Sequence, residues 1–178
     1  MLKMLSELCL SRKFVSIYTN CEELSKFYYG TILAVNDKEI AIDMTLPDRG
    51  NDGIVAEKVD KVFRIEIGGQ YEKKMKKLCS LNPYKPFEGR LDNSNIMESI
   101  LLLALRLKEI VSIELLDSGY DDIVGFVDVI ENGQCKIRQI DEYGYEDGCS
   151  YILINDITKI SYLSQYEKRI LNLWNFNK

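Results

Sequence analysis

A mainly β fold of the α+β class, made of two tandem copies of one five-stranded unit with flanking helices, is what this 178-residue sequence predicts. Three observations carry that expectation. The chain aligns with itself at a shift of 95 residues, short β-branched runs recur between turn-forming residues in both copies, and an apolar helical stripe opens and closes each copy.

Residues 30–78 align with residues 125–173 without a gap, and ten of the 49 positions are identical. Ordinary residue frequencies give about three, so the match reads as an internal duplication. The identities include Gly30 with Gly125, Asp52-Gly53 with Asp147-Gly148, and the tetrad Gln70-Tyr71-Glu72-Lys73 with Gln165-Tyr166-Glu167-Lys168. Upstream, "FVSIY" at Phe14 and "IVSIE" at Ile110 align at a shift of 96.

The first copy opens on a helix over residues 2–10, followed by a short strand over 15–18. Runs at 29–35 and 39–46 form a hairpin across "NDK", which the second copy replaces by "ENGQ". "DG" ends a polar loop in each copy, with strands over 54–59 and 149–154 after it. A polar step then leads to strands over 62–67 and 157–163. Tyr71, Met75 and Leu78 fall at i, i+4 and i+7, as do Tyr166, Ile170 and Leu173, so each copy closes on a short helix. In both helices the tyrosine is expected to tuck inward while Gln, Glu and Lys face water. A middle helix over 95–106 is apolar on most sides and is expected to be buried between the copies. The segment "SLNPYKPFEGRLDN" holds two of the three prolines and reads as a linker. The expected organisation is therefore a first unit over 1–79, a linker over 80–93 and a second unit over 94–178.

The stretches "GTILAVNDKEIAIDMTL" with "VDKVFRIEI", and "GFVDVIENGQCKIRQI" with "INDITKISYL", in this order of helix, five strands and helix, resemble the Sm-like and SH3-like small β-barrels. The resemblance implies two tandem five-stranded Sm/SH3-like barrels, with Gly30 and Gly125 at the bend of the second strand. In RNA-binding members of the Sm family, the loops after strands two and four carry stacking and charged contacts. Here the fourth-to-fifth steps are "VDKV" and "INDI", without an Arg-Gly or Lys-Gly pair. The second-to-third loops offer Asn36, Asp37 and Asn132 but no aromatic platform.

Composition narrows the chemistry further. Histidine is absent, which removes the commonest general base and transition-metal ligand and every Ser-His or Cys-His nucleophile. Cys9, Cys21, Cys79, Cys135 and Cys149 form no C-x-x-C pair and suit structural roles in a reducing cytoplasm. The longest apolar run, 96–107, falls short of the roughly 18 residues of a membrane helix, and the N-terminus lacks the pattern of a signal peptide. The formal net charge of −5 disfavours an unspecific grip on phosphate backbones.

Local clusters have structural readings. The acidic groups Asp48, Asn51 and Asp52, and Asp141, Glu142, Glu146 and Asp147, match no calcium-loop spacing and read as turns. Lys73, Lys74, Lys76 and Lys77, with Lys58, Lys61 and Arg64 nearby, read as a solvated helix face, because the second copy largely loses the charge. The carboxylate pairs Glu22-Glu23 and Asp121-Asp122 have no catalytic partner, and Phe14, Tyr29, Phe63 and Tyr162 read as core aromatics. No catalytic, cofactor-binding or metal-ligating residue is assigned. The expected function is a non-catalytic cytoplasmic binding or adaptor protein whose partner is a protein or a second copy of itself, with no membrane association. An Sm-like RNA-binding protein is the second reading, and an immunity-type or inhibitor protein the third.

Overall fold

The structure, a computed structural model, describes every residue except Leu24, Asp48, Arg49, Asn82, Pro83 and Tyr84. The chain divides into two compact units, Met1–Ile96 and Met97–Lys178.

In the first unit, helix α1 (Leu2–Ser11) ends where Arg12 takes a left-handed conformation, φ 49°, and donates its N–H to the Cys9 carbonyl. α1 buries Leu5 and Leu8 against β2, each contributing roughly 1.5–3 kcal/mol by leaving water. Strands β1 (Phe14–Tyr18), β2 (Tyr28–Val35), β3 (Glu39–Leu46) and β4 (Gly50–Lys58) follow, then a 3-10 turn (Val59–Lys61), β5 (Arg64–Glu66) and α2 (Gln70–Leu81). The strands form one antiparallel order, β5-β1-β2-β3-β4, and Val15, Ile17, Ile32, Ile40, Ile42 and Val55 fill the core beneath α1.

The second unit repeats the element order. Helix α3 (Ile96–Leu107) starts at the boundary and buries Met97, Ile100, Leu101 and Ala104. β6 (Ile110–Leu115), β7 (Ile123–Glu131), β8 (Gln134–Ile140), β9 (Glu146–Leu153), a 3-10 turn (Ile154–Asp156), β10 (Ile157–Tyr162) and α4 (Gln165–Phe176) follow. The antiparallel order is β10-β6-β7-β8-β9, and α4 packs Ile170 onto Ile110, Phe126 and Ile140.

Neither sheet closes into the expected barrel. No ladder joins β4 to β5 or β9 to β10 among the described residues, because after the 3-10 turn β5 runs back against β1 and β10 against β6, leaving β4 and β9 at the far side of each order. The chain is thus mainly β, of the α+β class, with open antiparallel sheets.

The repeated glycines explain how these sheets bend. A Cβ on Gly30 would sit 2.0 Å from the Asp43 carbonyl oxygen, and one on Gly125 2.1 Å from that of Arg138. Gly30 pairs with Met44, and opposite Met44 the fourth strand inserts Asp52-Gly53; Gly125 pairs with Gln139, and opposite it lies Asp147-Gly148. Both Gly53 and Gly148 have φ 76°, the conformation of a glycine in a β-bulge. The Asp-Gly pairs therefore do not end loops, as the sequence suggests. They bulge inside strands that begin at Gly50 and Glu146, ahead of the expected starts. The glycine and the bulge stand level across three strands, which is where a sheet takes its bend.

The tetrad is corrected as well. Glu72 and Glu167 are buried rather than solvated, and each accepts a hydrogen bond from the buried serine of its unit's first strand, Ser16 and Ser112, the latter at 2.6 Å. Glu167 also accepts from the Ser164 N–H at 2.7 Å while Ser164 Oγ accepts from Tyr166 N–H at 3.1 Å, a reciprocal cap on α4. Tyr71 and Tyr166 are half-buried. Tyr71 meets the rings of Phe27 and Tyr29 edge-on at 5.0 and 5.6 Å. Tyr166 packs at the margin of the α4 cluster with the Arg169 guanidinium 5.3 Å above its ring. Replacing Tyr166 by alanine is expected to cost about 2 kcal/mol, below the roughly 3–5 of a fully buried aromatic, and a urea titration reads it.

α2 runs to Leu81, and residues 85–92, within the expected linker, form neither helix nor strand. They are nevertheless held. Phe87 N–H donates to Asp43 Oδ2 at 2.8 Å, Asn51 Nδ2 donates to Asp43 Oδ1 at 2.8 Å and to the Lys85 carbonyl at 3.2 Å, and Asn36 Nδ2 to the Asn93 carbonyl at 2.8 Å.

A candidate binding cleft beside α4

The charged and aromatic clusters singled out in the sequence resolve mainly into local structure once placed in the fold. Asp48 lies outside the described residues. Asn51 Oδ1 accepts from Gly53 N–H at 2.8 Å and so holds the bulge in β4, while Asp141 Oδ1 accepts from the N–H groups of Tyr143 and Tyr145 and so builds a turn. Among the described residues no group of three or more Cys, Asp and Glu gathers as a metal site. Lys73, Lys74, Lys76 and Lys77 line an open groove on the solvent side of α2. Lys58 reaches Glu39 at 3.8 Å, and Arg64 pairs with Glu66 while covering the Tyr18 ring at 4.6 Å. Glu23 pairs with Lys26 at 2.7 Å. Asn132 and Gly133, φ 51° and 74°, make the β7–β8 hairpin turn. Of the aromatics read as core, Tyr29 and Tyr162 are buried, Phe14 is half-buried and Phe63 is exposed. Of the cysteines only Cys135 is fully buried, and burial pushes its thiol up to about 12; Cys21 and Cys149 are exposed.

Asp121 and Asp122 also have structural partners. Asp122 Oδ2 accepts from Leu115 N–H at 2.8 Å and Ser118 Oγ at 2.6 Å, which hold its carboxyl below the usual range. Asp121 and the buried Glu114 flank Lys159 Nζ at 3.1 and 3.2 Å. Burial works against the Lys159 ammonium, but the two carboxylates outweigh it and hold its pKa above 10.5. A raised lysine stabilises the fold fully below its unfolded pKa, and that contribution is lost as pH climbs through the raised folded value. Wild-type protein is therefore expected to lose stability, relative to Lys159→Met, only above about pH 10.5. Paired denaturant midpoints from about pH 9 to about pH 12, the range that spans lysine titration, check this.

A different group of residues combines aromatic walls with cations in one cleft. Beside α4 opens a cleft of about 560 Å³ whose walls include Phe126, Leu171 and Trp174 and whose rim carries Lys108, Arg138 and Lys178. β7 supplies Phe126, β8 supplies Arg138 directly across from it in register, and the last turn of α4 supplies Trp174. The Phe126 and Trp174 rings lie 5.5 Å apart, tilted by 57°. The Arg138 guanidinium sits 5.2 Å from one ring centre and 5.6 Å from the other, with Lys178 Nζ 4.9 Å from Trp174. Asp128 holds Arg138 Nε at 3.3 Å, and Glu146 reaches Nη1 at 4.0 Å. Donors on a preformed aromatic floor can take a carboxylate or phosphate together with a flat or apolar group.

Sequence reasoning missed this cleft. The available signal was that Trp174 is the sole tryptophan and that, at the shift of 95, it replaces Cys79, while Phe126 replaces Thr31 and Arg138 replaces Asp43. The repeat drew attention to what the copies share, whereas the cleft is built from what they do not.

Fold and site together define a mainly β protein of two five-stranded antiparallel units, one of which carries an aromatic and cationic cleft. Comparison with known proteins gave no match: no family model, no curated protein and no solved structure is similar to this chain. Among the described residues no helix is long and apolar enough to cross a membrane.

Proposed function

We propose that this chain is a non-catalytic cytoplasmic binding or adaptor protein, built by duplication from two Sm/SH3-like units with open sheets, and that its partner is a protein. The observation that carries the reading is the cleft of Phe126, Arg138 and Trp174, where cations surround aromatic walls. Support for the duplication comes from the recurring element order, the paired glycine-and-bulge devices, and the Ser16–Glu72 and Ser112–Glu167 bonds at matching positions. Five free thiols agree with a reducing compartment. Affinity purification in mild salt followed by mass spectrometry, comparing wild type with Trp174→Ala, tests the function. A protein retained by wild type and lost by the variant supports it, and recovery of nucleic acid alone overturns it.

RNA binding is the second reading, favoured by the same tryptophan and cations, since bases stack on such rings and phosphates meet Lys and Arg. A gel shift of short single-stranded oligonucleotides at low salt decides it, and absence of any shift removes it.

A further inference from the structure

The first unit already shows what can occupy this place in the fold. Arg138 and Glu146 stand at the positions of Asp43 and Asn51 at the shift of 95, and the strand registers agree: Asp43 lies opposite Thr31 and Ile54, Arg138 opposite Phe126 and Cys149. In the first unit, Asp43 and Asn51 grip an extended stretch of the chain itself. Asp43 accepts from the Phe87 N–H at 2.8 Å, and Asn51 donates to the Lys85 carbonyl at 3.2 Å. A carbonyl at one residue and an N–H two residues on are the groups that one edge of an extended backbone presents. The second unit keeps the two gripping positions but exchanges their chemistry, with a donor at Arg138 and an acceptor at Glu146. It also replaces the small Thr31 and Cys79 by Phe126 and Trp174, and Arg138 there lines the open cleft, with Glu146 4.0 Å from its guanidinium.

We infer that this cleft holds an extended, acidic segment of a partner protein, seated as residues 85–87 are seated in the first unit. The inference rests on the protein-binding reading above and names the chemistry of its ligand. Glu146 accepts a backbone N–H of the segment, and Arg138 donates to a carbonyl or side-chain carboxylate beside it. Exposed Lys108 and Lys178 at the rim meet further carboxylates, and an apolar or aromatic side chain of the segment lies against Phe126 and Trp174. Charge decides between peptide types: three cations line the cleft against two carboxylates, Asp128 in its wall and Glu146 beside Arg138, so positive charge stays in excess and a basic segment would meet repulsion.

The test selects random ten-residue peptides displayed on phage against the full-length chain, then measures the enriched peptides as synthetic probes. Emission of Trp174, the only tryptophan, reports occupancy of the cleft directly. Enriched peptides are expected to carry two or more acidic residues and an aromatic one, and to shift Trp174 emission saturably. They are expected to bind about tenfold or more weakly to Arg138→Glu and to Lys178→Glu. Lys178 is exposed, so an unchanged melting temperature in Lys178→Glu separates lost binding from lost folding. Enriched peptides that bind both variants as well as wild type, or that are basic, overturn the cleft assignment while leaving protein binding intact. Failure to enrich any peptide overturns both. Saturation of the Trp174 signal by a single-stranded RNA where no acidic peptide produces one replaces this proposal with the RNA reading.

Discussion

Replacing Gly125 by alanine is expected to destabilise the second unit by about 3 kcal/mol or more, among the largest effects of any single methyl group in this chain. The new Cβ would stand 2.1 Å from the Arg138 carbonyl oxygen and 2.8 Å from its carbonyl carbon. Both are backbone atoms of a paired strand, so relief requires β7 and β8 to separate where Gly125 pairs with Gln139. Gly30→Ala meets the Asp43 carbonyl at 2.0 Å and is expected to behave likewise. The control is Gly119→Ala, where φ is 80° and nothing lies within 4 Å of the added atom, so only left-handed strain of about 1–2 kcal/mol applies. Urea midpoints of the three variants give the comparison. A loss at Gly125 no greater than at Gly119 would show that the strands do not approach as closely as the structure has them.

Removing the Glu167 carboxylate is the second large effect. Glu167→Ala leaves the fully buried Ser112 hydroxyl without its acceptor at 2.6 Å and the Ser164 N–H without its acceptor at 2.7 Å. An unmet buried hydroxyl costs about 1–3 kcal/mol and a lost helix cap about 1, so a total of about 3 kcal/mol is expected. Glu167→Gln keeps the volume and one acceptor oxygen and is expected to lose about half as much. In a double-mutant cycle, Ser112→Ala and Glu167→Ala should couple by about 1 kcal/mol or more, since each single change strands the other group. Additive losses would mean that the serine and glutamate are not bonded. Glu72 and Ser16 offer the same measurement in the first unit.

These two experiments bear on the residues the sequence repeats, and on what repetition leaves open. Helical spacing and the usual exposure of charge suggest, for the tetrad at Gln70 and Gln165, an inward tyrosine and an outward glutamate. The structure half-buries the tyrosine and buries the glutamate, because a serine in the first strand of each unit faces the helix and supplies a hydrogen bond. Both serines sit in the aligned motifs "FVSIY" and "IVSIE", so their repetition was visible; that they meet a carboxylate some 55 residues later was not. Periodicity describes one element's faces and carries no information on which element covers them.

The local patterns of the chain determined the succession of short strands and helices, the mainly β class, and the special status of Gly30, Gly125 and the two Asp-Gly pairs. Residue type and spacing along one stretch of backbone suffice for these. Only the tertiary structure decided that the sheets stay open, that Asp-Gly forms bulges opposite Met44 and Gln139, and that Glu72 and Glu167 are buried. It alone brought Phe126, Arg138 and Trp174, from two neighbouring strands and a helix some 36 residues further on, around one cleft. The physical reason is that closure, burial and site assembly depend on contacts between distant segments, and the energies of such contacts are set by which surfaces meet and not by the pattern within either one.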